Sequence, residues 1–575
     1  MIDFHDVEGV NFGGGADTLA LLVALAAGFV TLPVLYGATP YAFALGAFLA
    51  ALGGWWFGWR IGTKLRLTHG GVFDINSHEP LAAGEGGVRV GYVAHTMQEL
   101  VVGPADWTQH AMAVGKSGFG KTVLGAWLMF QQIARGGGLL WIDGKLDAGN
   151  IEMLHHMCCW AGRPNDLLIV NPGTPDVSNT YNPLLDGDAD EVAARLGALL
   201  PDASANAAAD YYRASAINAV GSIVAATRAA GYAITFDDLR ILLTRPAALN
   251  WLLADLRKKG KGAEAIQFDL FLDQLRARNR KTGADVLDQD GLRNMFGGLG
   301  ARLAQFGGGK FGSVMNAYAP EVRMKDVVRK GKVLYVALPT MGKGEAALAL
   351  GKMTIADFRG TIADVQALPE DQRPDPPFLG FFDEAGSYVT QQWAAMFEQA
   401  RSARLVMVPA FQVKQSLEVL GPELLARVTG NTVTRVFFKT DEPKTAEWIA
   451  DMVGKEAREA HTWSESLGSN TRGVSIIDRG RGASNSTGES RNITHSVSMR
   501  EDYKVTPSDM GKLDRGECVV THGAHRVFHV LVPRVMFDKS FIERVGPFRP
   551  RRPAGVQTPD GLEPLRIMQR PGAMR

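Results

Sequence analysis

The stretch AVGKSGFGKTVLGAWL, residues 113–128, decides the fold of this chain. Gly115, Gly120, Lys121 and Thr122 fit the pattern G-x-x-x-x-G-K-[ST]. An apolar, strand-like run precedes these residues and a helix-like run follows them, which is the context that a phosphate-binding loop requires. The stretch therefore predicts a P-loop nucleotide-binding domain, although the loop alone does not tell what the hydrolysed phosphate drives.

The loop also predicts how its residues are used. Small residues let backbone N–H groups wrap the phosphates, and the N-terminus of the following helix faces the same anions. We expect Lys121 to reach the β- and γ-phosphates and Thr122 to ligate magnesium. The predicted nucleotide-binding residues are Gly115, Lys116, Ser117, Gly118, Phe119, Gly120, Lys121 and Thr122.

A P-loop needs a partner acid at the end of a neighbouring strand. The stretch FLGFFDEAG, residues 378–386, is an apolar strand that ends in two acids. We expect Asp383 to face the metal and Glu384 to polarise the attacking water as a general base. Asp143 and Lys145, in WIDGKLD, also end a strand and are a rival pair that we expect near the site.

Polar groups flank the next apolar run, RLVMVPAFQ at residues 404–412. Gln412 ends this run, where its amide could sense the γ-phosphate or could equally be an ordinary strand-end amide. Arg401 and Arg404 precede the run. Either could be an arginine finger that reaches the nucleotide of a neighbouring subunit, and either could be a surface arginine.

Apolar runs alternate with helix-like segments on both sides of the loop, which predicts a parallel sheet. The strand-like runs are residues 110–114, 138–145, 166–173, 332–339, 376–386, 404–412 and 432–440. Residues 187–300 show helical periodicity almost throughout. The fold class that follows is α/β, with an all-α domain inserted into the nucleotide-binding domain.

The N-terminal region reads as membrane-spanning. Residues 18–38 and 41–59 carry no charge, and each run is close to the ~20 residues that cross a bilayer as a helix. Arg60 and Lys64 follow at once, so the positive-inside rule places that end in the cytoplasm. Two spans then put the N-terminus in the cytoplasm too. We therefore expect a transmembrane hairpin, with the bulk of the chain and both termini in the cytoplasm.

Composition sets further bounds. The formal net charge is +1, so any contact with nucleic acid must come from local patches rather than from overall attraction. Three cysteines form no disulfide framework. The expected segments are a membrane hairpin (1–65), two parts of the nucleotide-binding domain (66–186 and 301–540) around the all-α domain (187–300), a mobile stretch within the second part (456–500), and a disordered Pro/Arg-rich tail (541–575).

Taken together, GKSGFGKT, FFDEAG, VPAFQ and the stretch beginning NTVTRVFFKT resemble the type IV secretion system coupling proteins of bacterial conjugation. These TraD/TraG-like proteins belong to the FtsK/HerA branch of RecA-like P-loop ATPases. The resemblance covers roughly residues 15–535. The order of segments is also similar: two spans, a RecA-like nucleotide-binding domain, and an all-α domain inserted within it.

The resemblance implies a homo-hexameric ATPase, using ATP and Mg²⁺, at the bacterial inner membrane. It implies that the ring recruits relaxase-bound single-stranded DNA and pumps it to a type IV secretion channel, with the all-α domain meeting relaxosome or effector proteins. It favours Arg401 over Arg404 as the finger and matches Gln412 to the family's glutamine. Two alternatives stay open: delivery of protein effectors, and an FtsK-like chromosomal DNA translocase.

Overall fold

The computed structural model describes residues 72–74, 87–94, 97–200, 207–278, 284–469, 489–523, 526–550 and 556–574. The expected membrane spans, 18–38 and 41–59, lie outside these residues. Within the described part of the chain, no helix combines the length and the apolar character needed to cross a membrane.

The strands are numbered in chain order. They are β1 (Val72–Asp74), β2 (Val88–Val93), β3 (Glu99–Val102), β4 (Ala111–Val114), β5 (Leu139–Asp143), β6 (Leu167–Val170), β7 (Tyr232–Ala233), β8 (Arg276–Arg278), β9 (Asp285–Leu287), β10 (Val333–Ala337), β11 (Phe378–Phe382), β12 (Leu405–Phe411), β13 (Thr434–Phe438), β14 (Lys455–Ser469), β15 (Glu489–Tyr503), β16 (Glu517–His522), β17 (Arg526–Leu531), β18 (Arg534–Met536) and β19 (Glu563–Pro564).

The α-helices are numbered in the same way. They are α1 (Pro104–Trp107), α2 (Lys121–Ala134), α3 (Ala148–Trp160), α4 (Ala189–Gly197), α5 (Ala207–Ala229), α6 (Phe236–Thr244), α7 (Pro246–Lys258), α8 (Gly262–Asp273), α9 (Gln289–Gly307), α10 (Gly309–Met315), α11 (Met324–Arg329), α12 (Thr340–Gln366), α13 (Trp393–Ala400), α14 (Gln415–Glu418), α15 (Pro422–Gly430), α16 (Pro443–Val453), α17 (Pro507–Met510) and α18 (Lys539–Val545).

One large mixed sheet organises the described residues. Its strand order is β3-β2-β17-β16-β13-β4-β12-β11-β5-β10-β6. The strands from β13 to β6 in this order run parallel to one another, and β16, β17, β2 and β3 extend the sheet with antiparallel pairs. The predicted parallel sheet is therefore present, with an antiparallel extension at one side.

The sheet is buried on both faces. In β5 the side chains alternate: Leu140 and Ile142 pack into one apolar cluster, and Leu139 and Trp141 into another. This alternation explains why the central strands read as continuous apolar runs in the sequence. The carboxyl ends of β4, β5, β11 and β12 meet at one edge, which is where open α/β sheets bind ligands.

Helices α4 to α11 fill the chain between β6 and β10, interrupted only by short strands in the described residues. Their buried side chains, such as Leu196, Val220 and Phe236, belong to the same apolar cluster as Leu140 and Ile142 of the sheet. The helical insertion therefore packs against one face of the sheet and shares its core.

A buried ion pair joins this insertion to the helix after β10. The Nη2 of Arg195 in α4 lies 2.8 Å from the Oδ1 of Asp357 in α12, and both side chains are 2% exposed. The Tyr181 hydroxyl donates to the same carboxylate at 2.7 Å, and Arg195 also donates to the Asp186 carbonyl oxygen at 3.0 Å. Buried charges tolerate low dielectric only when they are paired and hydrogen-bonded in this way.

The stretch 456–500, expected to be mobile, instead contains the long strands β14 and β15, which pair antiparallel from Lys455↔Tyr503 to Ser469↔Glu489. The expectation rested on the absence of hydrophobic periodicity. An antiparallel ladder satisfies backbone N–H and C=O groups whatever the polarity of the side chains. Residues 470–488, between the two strands, lie outside the described residues.

The expected disorder of 541–575 also differs from the structure. Lys539–Val545 form α18, and β19 pairs in parallel with β7 of the helical insertion. The side chains of Leu565, Ile567 and Ala573 are fully buried. These few apolar residues were overlooked because the segment is rich in Pro and Arg. A short segment that docks on a folded surface needs no regular hydrophobic periodicity.

Candidate nucleotide site

The loop between β4 and α2 has a backbone that only glycine allows. Gly115 has φ +151°, and a Cβ there would lie 2.6 Å from the Phe438 Cβ. The Gly115 N–H donates to the Phe411 carbonyl oxygen at 3.1 Å, and the Lys116 N–H donates to the Lys439 carbonyl oxygen at 2.8 Å. The ends of β12 and β13 thus hold the loop in place at the carboxyl edge of the sheet.

Lys121 begins α2 and points back into the loop. Its side chain is 4% exposed, and its Nζ donates to the Gly115 carbonyl oxygen at 2.5 Å. Burial lowers the pKa of Lys121, while the nearby charges of Glu384 and Asp383 act to raise it. A buried ammonium inside a glycine loop at a helix N-terminus is a site for an anion of high charge, such as a phosphate chain.

Thr122 and Asp383 meet across the gap between α2 and β11. The Thr122 Oγ1 donates to Asp383 Oδ2 at 3.0 Å, and the Glu384 N–H donates to Asp383 Oδ1 at 3.0 Å. Burial, and then the charge of Glu384, raise the pKa of Asp383. A hydroxyl and a carboxylate are oxygen ligands of the kind that Mg²⁺ takes beside nucleotide phosphates, so these two side chains fit the predicted metal.

Glu384 follows Asp383 in a left-handed conformation, with φ +53°. Gly144 lies so close that a Cβ there would be 2.7 Å from the Glu384 Cβ. The Gln412 Nε2 donates to both Glu384 carboxylate oxygens at 2.9 and 2.8 Å, and the Lys145 Nζ lies 2.5 Å from Glu384 Oε1. Burial acts to raise the pKa of Glu384, but the hydrogen bonds from Lys145 and Gln412 outweigh it, so the pKa lies below its ordinary value.

Asp143, the rival acid, is engaged elsewhere. It accepts hydrogen bonds from the Tyr335 hydroxyl at 2.7 Å, from Asn150 Nδ2 at 2.8 Å and from the Lys145 N–H at 2.8 Å. Burial raises the pKa of Asp143 to about 6. The carboxylate therefore ties β5 to β10 and α3, whereas the P-loop threonine donates to Asp383.

Arg401 and Arg404 lie away from these groups. Both precede β12, whose seven residues run ~23 Å from that end to Gln412 at the other. Arg404 pairs with Asp375 at 2.8 Å. The Arg401 side chain is exposed and, within the described residues, has no hydrogen bond or ion pair. The fold thus brings Lys121, Thr122, Asp383, Glu384 and Gln412 together and leaves both arginines at the opposite edge.

The motifs did not predict two cavities that lie beside the residues of the site. One, of about 840 Å³, lies beside Phe119 and is also lined by Lys439, Arg515 and Arg534. The Lys439 Nζ lies 5.3 Å from the centre of the Phe119 ring. Lys439, Arg515 and Arg534 each lie more than 300 positions after Phe119 in the sequence, so only the pairing of β13, β16 and β17 brings them to the loop.

The second cavity, which we call the lysine cleft, has a volume of about 1040 Å³ and lies beside Glu384 and Gln412. Lys145, Lys310 and Lys343 line it, together with the other residues of the segment 339–344. The residues of the P-loop, 115–122, are not among those that line it. The cleft thus lies next to the predicted catalytic acid, and Lys145 connects it to the P-loop through a hydrogen bond to the Ser117 Oγ.

A protein-family model described as the TraM recognition site of TraD and TraG matches residues 377–511. The matched range includes β11, β12 and β13, and therefore Asp383, Glu384 and Gln412. Among curated proteins, the type 4 coupling protein DotL of Legionella pneumophila is 24% identical over 467 residues. The alignment covers 73% of this chain and 57% of DotL, so the chain spans just over half of the length of that relative.

Solved structures of the plasmid coupling protein TrwB have the same fold. The unbound conjugative coupling protein TrwBdeltaN70 aligns with a TM-score of 0.53 and 17% identity over 79% of this chain and 90% of that chain. TrwB in complex with the ATP analogue ADPNP aligns with a TM-score of 0.50 and 15% identity over 84% of this chain and 99% of that chain. These alignments show that the chain shares the fold of TrwB, and the family model and the curated relative confirm the resemblance that the motifs indicate: this chain is similar to the type IV coupling proteins.

Proposed function

We propose that this protein is an ATP-driven coupling protein that moves single-stranded DNA toward a type IV secretion channel. The observation that carries the proposal is the convergence of Lys121, Thr122, Asp383, Glu384 and Gln412 at one edge of the sheet. TrwB, which shares the fold, has been solved with non-hydrolysable ATP and GTP analogues. That supports a nucleotide ligand for the same loop in this chain.

Each side chain has a distinct task in this proposal. The loop N–H groups and Lys121 bind the phosphates, and Thr122 and Asp383 would hold Mg²⁺, which would supply neutralisation of the phosphate charge. Glu384 accepts a proton from the attacking water, and Gln412 orients the Glu384 carboxylate through its two hydrogen bonds.

Arg401 is assigned to the neighbouring subunit's site. Its own P-loop is at the other edge of the sheet, so within one chain the guanidinium does not reach the phosphates. In a ring, the edge that carries Arg401 would face the nucleotide edge of the next subunit. This geometry, and a guanidinium without a hydrogen bond or ion pair among the described residues, favour a homo-hexamer in which each site is completed in trans.

The remaining parts of the proposal come from the sequence and the resemblance. The uncharged runs 18–38 and 41–59 would anchor the ring in the bacterial inner membrane, with the described domains in the cytoplasm. The helical insertion would receive the relaxase or relaxosome. The three cleft lysines supply the local positive charge that the near-neutral chain requires for contact with a DNA strand.

Delivery of protein effectors is a second candidate, favoured by one observation. Helix α8 of the insertion exposes Ile266 and Leu270, which are 64% and 60% exposed and one helical turn apart. An apolar pair on the outer face of a helix suits a protein partner better than a nucleic-acid strand.

The test is the ATP turnover of the full chain in detergent, measured with and without single-stranded DNA over a series of salt concentrations. The proposal predicts stimulation that weakens as salt rises, because phosphate contacts release counterions. Turnover that DNA does not change, together with salt-independent DNA binding, would refute the DNA motor. If a protein cargo co-purified in a manner that Ile266→Asp abolished, the effector-delivery candidate would replace it.

A further inference from the structure

The catalytic glutamate is held by two neighbours at once. Gln412 donates to both of its oxygens, and Lys145 forms an ion pair with Oε1 at 2.5 Å. Lys145 also donates to the Ser117 Oγ of the P-loop at 3.1 Å. A carboxylate that already accepts hydrogen bonds from an ammonium and from an amide has few lone pairs left to accept one from a water molecule. In this arrangement Glu384 is poorly placed to act as a general base.

Of the two side chains that hold Glu384, Lys145 is the one that can move away. Its side chain is 48% exposed, whereas that of Glu384 is 14% exposed. Lys145 lies just beyond the end of β5, in the loop that leads to α3, and its long side chain also lines the lysine cleft. An exposed lysine loses little solvation when it exchanges one anionic partner for another.

The lysine cleft offers such an exchange. Glu384 is the only acidic side chain among its lining residues, against the three lysines. Lys310 donates to the Gly173 carbonyl oxygen at 3.1 Å, and Lys343 lies at a break in the first turn of α12, where its φ and ψ are −148° and 58°. Both ammonium groups are exposed and have no carboxylate partner within the described residues.

We propose that Lys145 is a positioning residue that restrains Glu384 until an anionic strand enters the lysine cleft and takes the ammonium away. The occupant is a phosphodiester backbone, because three lysines and four glycines are among the residues that line this cavity of about 1040 Å³, and clustered ammonium groups suit phosphates on an extended chain. This inference rests on the proposed function and adds to it how the strand controls hydrolysis. Glu384 is released for the water only when the strand is in place.

A double-mutant cycle on strand binding tests this without any turnover measurement. The full chain, free of nucleotide, is titrated with a fluorescein-labelled oligothymidylate, using wild type, Glu384→Gln, Lys145→Met and the double variant. Glu384→Gln frees Lys145 from its ion pair, so we expect it to bind about fivefold more tightly than wild type. In the Lys145→Met background the same change should have little effect.

Plain charge removal is the alternative cause of tighter binding. Glu384→Gln would then strengthen binding by the same factor whether or not Lys145 is present, and that additivity would overturn the proposal. Lys145→Arg, which keeps the charge, should restore the coupling. Lys330→Met, which removes an exposed lysine paired with Asp326 at 3.3 Å, is the matched control and should leave binding unchanged.

Turnover gives the second readout. Lys145→Met should raise ATP hydrolysis in the absence of oligonucleotide and remove its stimulation, because the restraint is gone. If Lys145→Met instead only raised the KM for ATP, Lys145 would be a nucleotide ligand and the proposal would fail. If wild type neither bound the oligonucleotide nor responded to it, both the proposed function and this proposal would fail. Additivity in the double-mutant cycle would overturn only the role of Lys145, so the two failures can be told apart.

Discussion

At the scale of single residues, the site depends on backbone positions that side chains cannot easily occupy. Glu384 has a left-handed backbone, which is unfavourable for a residue with a Cβ and is found where a functional group must be aimed. Gly144 gives it room on one side. The Tyr388 hydroxyl donates to the Asp383 carbonyl oxygen at 2.7 Å, which fixes the backbone immediately before Glu384.

Lys121 supplies the buried positive charge of the loop, so Lys121→Ala should weaken ATP binding by about tenfold to a hundredfold, the worth of a charge-assisted hydrogen bond. Equilibrium titration with a fluorescent ATP analogue measures this. Lys330→Ala, on an exposed helix end, is the control. Wild-type affinity in Lys121→Ala would contradict the assignment of the loop.

His110 makes the stability depend on pH. Its Nε2–H donates to the Phe397 carbonyl oxygen at 2.8 Å, and its Nδ1 accepts from the Met407 N–H. Burial, with a further contribution from Arg401, lowers the pKa of His110 to about 4 despite the hydrogen bond to Phe397. The unfolded chain binds the proton near pH 6.5, so stability should fall as pH drops from 6.5 toward 4.

The corresponding measurement compares melting temperatures of wild type and His110→Gln. Between pH 7 and pH 5 the stability of wild type should fall relative to the variant by about 2 kcal/mol, because only wild type must exclude a proton. A difference in melting temperature that stays constant over this range would show that His110 does not titrate as described.

The residues of the loop, Asp383 and Glu384 could be predicted because their spacing or their place at the end of an apolar run carries the signal. Lys145 was expected near the site, but its ion pair with Glu384 was not predicted. The pair depends on the adjacency of β5 and β11, and on a left-handed turn at Glu384 that no local pattern indicates. Lys439 and Lys310 were missed for the same reason: topology, not spacing, brings them to the cavities.

At the scale of elements, the C-terminal segment 556–574 is a docked strand and turn. The Glu563 N–H donates to the Gly231 carbonyl oxygen at 2.9 Å, and the Leu565 N–H donates to that of Ala233 at 2.9 Å. The Asp238 carboxylate accepts from the Ile567 N–H at 2.9 Å. Main-chain pairing gives the segment its register, and the buried Ile567 side chain anchors it.

Ile567→Ala should release this segment, because a buried isoleucine cut to alanine costs about 2–5 kcal/mol, comparable to the cost of opening a short docked segment. Hydrogen exchange of a peptide covering 559–574 should become much faster. Met568→Ala, at a neighbouring side chain that is 60% exposed, should not change it. Equal exchange in wild type and Ile567→Ala would show that main-chain pairing alone holds the segment.

The central strands were predicted well because both faces of the sheet are buried, so each strand is an apolar run bounded by polar residues. The hairpin of β14 and β15 and the docked C-terminal segment were not predicted. In both, backbone hydrogen bonds contribute pairing that hydrophobic periodicity does not report, and in the second the partner surface is formed by residues more than 300 positions earlier.

At the scale of the whole molecule, the nucleotide groups and Arg401 lie at opposite edges of one sheet. A single chain therefore holds all the proposed catalytic groups but does not bring them together. Arg401→Ala should lower turnover by about a thousandfold or more, as loss of an arginine finger does, without changing the binding of ATP.

Mixing two inactive variants tests whether the site is shared. In a mixed ring of Arg401→Ala and Lys121→Ala subunits, some interfaces pair an intact P-loop with an intact Arg401, so turnover should recover above that of either variant alone. No recovery, with mixed assembly shown by differently tagged subunits, would remove Arg401 from the site.

In the proposed mechanism Glu384 activates water for ATP hydrolysis, and the P-loop binds the nucleotide independently of Glu384. The most direct measurement is a single turnover of radiolabelled ATP by wild type and Glu384→Gln, each with Mg²⁺ and single-stranded DNA. We expect both proteins to bind ATP with similar affinity, wild type to convert it to ADP, and Glu384→Gln to retain it unhydrolysed. Hydrolysis by Glu384→Gln at the wild-type rate would show that Glu384 is not the general base.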